Sequence, residues 1–310
     1  MKAIRIHQYG GPEQLVLEEA PRPEIGDDEV LVRVWAAGVN PVDWKVRQGY
    51  LSEFLGHHLP LIPGWDFAGL VDLVGAEVRT LQPGDRVYGL ADLSRDGSYA
   101  EYIAVKASSV APMPASLCFE EAAAVPLTAL TAWQALFDQA GLAAGQKVLV
   151  HGAAGGVGHF AVQFANWCGA HVVGTASGRH RKFLDRIGVH EVIDYTAERF
   201  EERVREVDVV LDSISGEVRE RSWQVLKKGG VLVGLLPPEP EKGLLDKLGV
   251  RFKSFLVQPN SSQLGEITAL IDSKLVKPHI FRILSLAAAA EAQREGEAGH
   301  MQGKLVLRIE

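Results

Sequence analysis

The sequence predicts an α/β chain in which a β-rich, barrel-like module is followed by a doubly wound parallel sheet. Three observations predict it. Short apolar strands divided by Pro and Gly turns fill the first third, and strands then alternate with helical stretches. A glycine-rich turn joins the first strand of that alternation to its helix.

In the first module, Val30–Leu31–Val32–Arg33–Val34 alternates after a Pro/Gly/Asp-rich turn from Pro21 to Asp28. Phe67 to Val74 is apolar and strand-like. Pro83–Gly84–Asp85 turns the chain into Arg86–Val87–Tyr88–Gly89, and Tyr99 to Val105 follows another glycine turn. From about Phe119 the pattern becomes helical, is interrupted at Pro126, and resumes from Leu130 to Ala140. Buried strands are then expected at Lys147–His151, His171–Thr175, Val192–Ile193, Val207–Leu211 and Val231–Leu235. Helices are expected between them, at Gly158–Cys168 and Arg179–Ile187 among others. Strand and helix in turn imply right-handed βαβ units, and runs such as Val148–Leu149–Val150 suit a sheet covered on both faces. The tail reads as a helix (Leu264 to Ser273), an extended piece, a second helix (Leu286 to Arg294) and a last strand, Lys304–Ile309.

The 310 residues, 47% of them hydrophobic, suit two domains with sizeable cores. A net charge of −7 with both signs interspersed argues against a nucleic-acid surface, which usually carries a basic face. No apolar run approaches the roughly 18 residues of a membrane span. Residues Met1 to His7 alternate like a strand rather than forming the apolar centre of a signal peptide. Cys118 and Cys168 lie far apart, so no disulfide framework is expected and a reducing cytoplasm is the expected location.

The sharpest local signal is His151–Gly152–Ala153–Ala154–Gly155–Gly156–Val157–Gly158, between a strand and an apolar-periodic helix. Ala153, Gly155 and Gly158 form an A-x-G-x-x-G version of the dinucleotide fingerprint. Small residues let the backbone turn sharply and approach a pyrophosphate, and the helix N-terminus offers it unpaired N–H groups. The alternative is a turn needed only for packing. A phosphate loop of the Gly-Lys-Ser/Thr kind is excluded, because that tripeptide is missing.

An NAD site expects Asp or Glu about 20 residues on, to hold the ribose 2′-hydroxyl. That stretch here is Gly174–Thr175–Ala176–Ser177–Gly178–Arg179–His180–Arg181–Lys182, with no carboxylate. Ser177 and Arg179 instead suit a 2′-phosphate, so NADPH is the expected cofactor. A solvated basic helix start is the alternative, although cations are disfavoured at the positive end of a helix.

Here the sequence resembles the medium-chain dehydrogenase/reductase superfamily, particularly its quinone oxidoreductase branch. The resemblance runs along essentially the whole chain. It is carried by Met1–Lys2–Ala3–Ile4 with Tyr9–Gly10–Gly11–Pro12, Ala37–Gly38–Val39–Asn40–Pro41–Val42–Asp43 and Pro63–Gly64–Trp65–Asp66–Phe67–Ala68–Gly69. Pro83 to Val87, Gly97 to Tyr102, Pro126 to Ala132, the glycine turn, Val192–Ile193–Asp194–Tyr195 and Gly303 to Leu307 continue it. It implies a GroES-like β-barrel catalytic domain at residues 1–120, completed by 265–310, and a Rossmann NADPH-binding domain at residues 121–264. It also implies a cofactor in the cleft between the domains, and a homodimer through the edge of the Rossmann sheet.

The departures from the alcohol dehydrogenase branch bear on the chemistry. Where those enzymes place zinc ligands, this chain has Asn40, and Trp65–Asp66 in place of Gly-His-Glu. A structural zinc lobe needs four clustered cysteines and the chain has two. Zinc prefers thiolate and imidazole, so no metal is expected. The neighbouring His57 and His58 are read as a surface loop. Without a Lewis acid, an unactivated alcohol is a poor substrate. Quinones and α,β-unsaturated carbonyls need only hydrogen-bond donors, because charge spreads onto the oxygen. The expected activity is therefore NADPH-dependent reduction of a quinone or enone. An NADP-dependent alcohol dehydrogenase and a non-catalytic NADPH-binding protein stand as alternatives.

Asn40 is expected to position the cofactor ribose or the substrate carbonyl. Asp43 is expected in the catalytic group, with a helix cap as its alternative. Tyr50 would donate to the substrate oxygen, or else be an exposed loop aromatic. The resemblance further implies Thr128 near the nicotinamide carboxamide and Tyr195 at the adenine-side phosphate or ribose. It places Leu235, Leu236, Val257 and Lys304 along the cofactor channel, together with Ala153, Gly155, Gly156 and Val157 of the turn.

Overall fold

The computed structural model describes residues 1–241 and 243–309. Its strands are β1 (Lys2–Arg5), β2 (Val16–Glu19), β3 (Glu29–Val39), β4 (Asp66–Val74), β5 (Arg86–Leu90), β6 (Tyr102–Lys106) and β7 (Val110–Pro112). After them come β8 (Lys147–His151), β9 (His171–Ala176), β10 (Glu191–Asp194), β11 (Val207–Asp212), β12 (Leu226–Gly234) and β13 (Arg251–Ser254). The tail adds β14 (Ile280–Ser285) and β15 (Lys304–Arg308).

The chain divides into two units, one made of Met1–Leu130 with Gln258–Glu310 and the other of Thr131–Val257. In the first unit, β3 changes neighbour along its length. Residues 29–33 pair with β6 and residues 36–39 with β15, while β4 runs along its other side. A strand shared in this way curls a sheet, and β5 and β7 extend it beyond β4. The tail strand β15 is thus a working part of the first unit. Its Leu305 and Leu307 pack with Ile4, Ala37, Val39, Ile62 and Tyr99 in one core.

The second unit is a six-stranded parallel sheet in the order β10-β9-β8-β11-β12-β13. Val148, Leu149 and Val150 of β8 have no exposed surface, as expected of a central strand covered on both faces. Burying each such side chain contributes roughly 1.5–3 kcal/mol relative to leaving it in water. The chain winds from β8 outward to β10, then returns to begin β11 on the other side of β8. The topological switch point therefore falls between the carboxyl ends of β8 and β11. The expected strands all form, although β12 begins earlier, at Leu226, and the helix after the glycine turn begins at Gly156 rather than Gly158. The extended piece of the tail is β14, parallel to β15.

His151 ends β8 with no access to solvent. Its Nδ1 lies 3.0 Å from Thr175 Oγ1, its Nε2 lies 2.9 Å from Ser222 Oγ, and its ring meets Phe200 edge-on. Burial lowers its pKa from 6.5 to about 4. Between those values the unfolded chain takes up a proton that the folded chain refuses, so stability is present above pH 6.5 and lost as pH falls towards 4. Asp43, raised to about 7, acts in the opposite sense: its contribution is full below pH 3.8 and lost as pH rises through 7. Melting temperatures recorded from pH 7 down to pH 4.5 should fall more steeply for the native protein than for His151→Gln. Equal slopes would remove His151 as the responsible group.

Candidate active site

The glycine turn is shaped by close approach. Gly152 has a φ of +66°, a conformation that favours glycine. A Cβ at Gly158 would overlap Gly152 O and lie 2.7 Å from Ala153 Cα, so the Gly156–Trp167 helix reaches β8 only because Gly158 has no side chain. Ala153 N donates to Thr175 O at 3.0 Å and Gly155 N to Gly152 O at 2.9 Å, which fixes the turn from both sides. Gly155 is the N-cap and no side chain caps the helix. Its first-turn N–H groups at Gly156, Val157 and Gly158 suit an anion.

Next to the turn, β9 ends at Ala176. Ser177 and Arg179 follow it, Ser177 half-buried and Arg179 exposed. The register pairs Asp194 with Ala176, and Tyr195 N donates to Ala176 O at 3.3 Å. Tyr195, 51% exposed, is thereby brought beside Ser177. The same register brings in a carboxylate that the local stretch lacks. The N–H of Gly178 hydrogen-bonds Asp194, and a Cβ at Gly178 would overlap Asp194 Oδ2. Hydrogen bonds from Thr196, through both its hydroxyl and its N–H, hold this carboxyl below its usual range. On the other side of the switch point, Leu235 is half-buried and its N–H donates to Asp212 O at 2.9 Å; Val257 is buried.

In the first unit, the Pro41–Arg47 helix opens on a buried polar network. Asn40 and Asp66 have no exposed surface and Lys304 is 3% exposed. Asn40 Nδ2 donates to Asp66 Oδ2 at 2.8 Å. Lys304 Nζ donates to Asn40 Oδ1 and, at 3.0 Å, to Val39 O, and lies 3.4 Å from Asp66 Oδ2. Asp66 Oδ1 accepts Leu127 N at 2.6 Å. Burial pushes the Asp66 pKa up and the Lys304 pKa down, and each is opposed by the other's charge.

Asp43 lies one helical turn inward. Its Oδ2 accepts Asn40 N and Tyr99 OH, both at 2.8 Å, which is half of a capping box. Burial raises its pKa to about 7 against those two hydrogen bonds and the Lys304 charge. Tyr50 stands outside the network, 75% exposed, and Thr128 turns its hydroxyl back to Ala124 O at 3.2 Å. His57 is more engaged than a surface loop would require. It is half-buried, with Nε2 2.6 Å from Leu93 O and its ring stacked on Trp65 at 5.9 Å.

Of the expected residues, Tyr50, Thr128, Leu235 and Val257 join no network, and the others gather in two sets. One holds the turn residues with Ser177, Arg179 and Tyr195; the other holds Asn40, Asp43 and Lys304. Tyr99 and Asp194 complete these sets without having been singled out for the site in the sequence. In the sequence Asp66 stands out as part of the Pro63–Gly69 stretch and as a departure from a metal motif, not as a site residue.

Residues 26–115 match the family described as alcohol dehydrogenase GroES-like domain, and residues 187–307 the family described as zinc-binding dehydrogenase. The chain is 37% identical over 318 residues to 2-methylene-furan-3-one reductase of Solanum lycopersicum, covering 99% of this chain and 79% of that protein. The quinone oxidoreductase from Coxiella burnetii superposes with a TM-score of 0.92 at 35% identity, covering 100% of this chain and 99% of that one. The Escherichia coli quinone oxidoreductase complexed with NADPH superposes with a TM-score of 0.91 at 29% identity, over 100% of both chains.

Removing one partner of a buried ion pair leaves the other charge uncompensated, which typically costs 3–5 kcal/mol. Lys304→Met should lower unfolding stability by about that amount. Adding Asp66→Asn in the same chain should restore more than half of the loss. Urea midpoints that are equal for the single and double variants would show that the pair is not coupled.

Proposed function

Because the chain belongs to the medium-chain dehydrogenase/reductase superfamily, in its quinone oxidoreductase branch, we propose that it is a zinc-independent reductase transferring hydride from NADPH to a quinone or an α,β-unsaturated carbonyl. The observation that carries this reading is the Lys304 ammonium. It is set against Asn40 and Asp66, the residues that match the zinc-ligand motifs of the alcohol dehydrogenase branch. A divalent cation brought there would meet a positive charge, an amide and a carboxylate already holding three donors. The donor set does not fit zinc.

The residues do fit a phosphorylated dinucleotide. The uncapped helix at Gly156 and the missing Cβ at Gly158 suit the pyrophosphate, and Ser177, Arg179 and Tyr195 suit the adenosine 2′-phosphate. Leu235 and Val257 offer apolar surface for the remainder, and Thr128 is assigned to the carboxamide. The reduced nicotinamide, when bound, supplies the hydride.

The chain's own part is orientation and charge. Asp66 and Lys304 hold the Asn40 amide in a single orientation, so it costs no reorganisation when it is used. Asp43 secures the Asn40 N–H and acts through it as a positioning residue. Tyr50 is the exposed hydroxyl assigned to the acceptor oxygen, and water supplies the final proton. Zinc-free chemistry of this kind needs an acceptor whose conjugation spreads the incoming charge, as in quinones and enones.

The homodimer is assigned to the β13 edge of the parallel sheet. Among the described residues, β13 pairs only with β12, and Arg251, Lys253 and Ser254 are exposed. Both cysteines are free, which suits the reducing cytoplasm proposed for the protein.

NADPH oxidation should proceed with a panel of quinones or of enones. Silence with both panels despite tight NADPH binding would overturn the catalytic reading, and stoichiometric zinc that restores activity after chelation would overturn the zinc-free one. Arg179→Ala should weaken NADPH binding by about 1.5–3 kcal/mol, as expected for a lost charge-assisted hydrogen bond, and leave NADH nearly unchanged. Asp194→Asn should act in the opposite direction, raising the NADPH-over-NADH preference about two- to fivefold by removing a like charge near the surface. Equal effects on the two cofactors would show that neither side chain reads the phosphate.

A further inference from the structure

Arg219 is 2% exposed, and each of its nitrogens has a partner. Its Nε donates to Asp212 Oδ2 at 2.7 Å, its Nη2 to Leu236 O at 2.6 Å and its Nη1 to Pro238 O. The guanidinium also lies over the Phe252 ring, 5.4 Å from its centroid. Space has been left for it. A Cβ at Gly234 would come within 2.8 Å of Nη2 and 2.9 Å of the Phe252 ring.

Asp212 is fully buried and is used equally completely. Its second oxygen accepts Ile214 N at 2.9 Å and Ser215 N at 2.8 Å, and its backbone carbonyl accepts Leu235 N. Ser213 Oγ donates to His151 O at 2.9 Å, and Ser215 Oγ to Pro237 O at 2.8 Å. The ion pair therefore fastens the segments that leave β11 and β12 at their carboxyl ends, and the Ser213 hydroxyl ties the first of these to the end of β8. These three strands are neighbours across the switch point.

A dinucleotide on a doubly wound sheet places its pyrophosphate at the glycine turn and one nucleoside over each half of the sheet. Ser177, Arg179 and Tyr195 stand at the ends of β9 and β10, which assigns the adenosine to that half. The nicotinamide nucleoside is left to the β11–β12 half, where Arg219 ties down Leu236 and Pro238.

We infer that Arg219 is a positioning residue for the nicotinamide half of the cofactor, holding the Leu235–Pro238 segment at a set height above the sheet relative to the glycine turn. This rests on the glycine turn being the dinucleotide site. Lysine cannot replace the arginine, because one ammonium cannot serve a carboxylate and two carbonyls spread across a planar fork.

The test compares a whole cofactor with one half of it. Arg219→Lys, Arg219→Ala and Ser215→Ala are titrated with NADPH and with adenosine 2′,5′-bisphosphate, which lacks the nicotinamide nucleoside. NADPH is followed by its nicotinamide fluorescence and the fragment by calorimetry. For Arg219→Lys, NADPH affinity should fall about tenfold while fragment affinity stays within twofold, and the bound-NADPH emission should shift towards that of the free cofactor. Ser215→Ala, which loses only a partly exposed hydroxyl, should show the same pattern with about a threefold loss. Millimolar guanidinium should restore NADPH affinity to Arg219→Ala, and ammonium should not. Equal losses for NADPH and the fragment would mean general loosening of this unit and would overturn the assignment, as would unchanged NADPH binding. If native protein binds neither ligand, the dinucleotide reading fails and the inference fails with it. If the native protein binds both and only the Arg219 variants fail to fold, Ser215→Ala decides.

Discussion

The second unit depends on one close approach. Gly158 lets the Gly156–Trp167 helix come against β8 so nearly that any side chain there would strike Gly152 O. This contact directs the helix N-terminus into the crevice at the carboxyl edge of the sheet. It also sets the height of Ala153, whose Cβ in turn leaves room only for Gly174 on β9. A larger residue at either glycine would push the helix outward and move its first-turn N–H groups away from any bound anion. The placing of these N–H groups and the packing of the sheet are therefore two results of one steric condition.

The polar network of the first unit is organised by charge. Lys304 and Asp66 are ionisable groups with almost no contact with water. Buried pairs of this kind rarely stabilise a fold more than apolar residues of the same size would. What they provide here is direction, since Asn40 is held between a donor and an acceptor that permit one amide orientation. The single turn of helix from Asn40 to Asp43, together with Tyr99, then connects that orientation to the backbone. The ammonium is a fixed positive charge held beside Asn40 and Asp66.

Much of this was legible in the sequence, and the omissions have a common physical cause. The apolar run at Val148–Val150 and the small residues after it announced a buried parallel strand and its turn, and both form. Ser177 and Arg179 were legible because they follow β9 directly. Asp194 was not, because its place beside Gly178 depends on the register of β10 against β9, which local patterning does not encode. Arg219 and Asp212 are seven residues apart across a turn and a short helix, and in the sequence they read as two ordinary charges. Lys304 stands 264 residues from Asn40, so only the family resemblance pointed to it. The helix after the turn started two residues earlier than its apolar periodicity suggested. Its first residues are glycine and a half-buried valine, and they carry no amphipathic signal. For these side chains the local element was readable and the contact that gives it a role came from another element.

The two halves of the parallel sheet solve different problems. Around Ser177, Arg179 and Tyr195 the groups are exposed or half-buried, so they act in a high dielectric where charge contributes modest affinity and salt weakens it. Around Asp212 and Arg219 the groups are buried and each guanidinium nitrogen donates to a partner, so the segment they hold has little freedom to shift. Affinity and selectivity between cofactors can tolerate a flexible contact, because each depends on an averaged free energy. Hydride transfer cannot, because the reacting atoms must be held within a few tenths of an ångström over the life of the complex. On the proposed reading, an exposed, adjustable adenosine side and a buried, hydrogen-bonded nicotinamide side are what those two requirements ask of a sheet divided at its switch point.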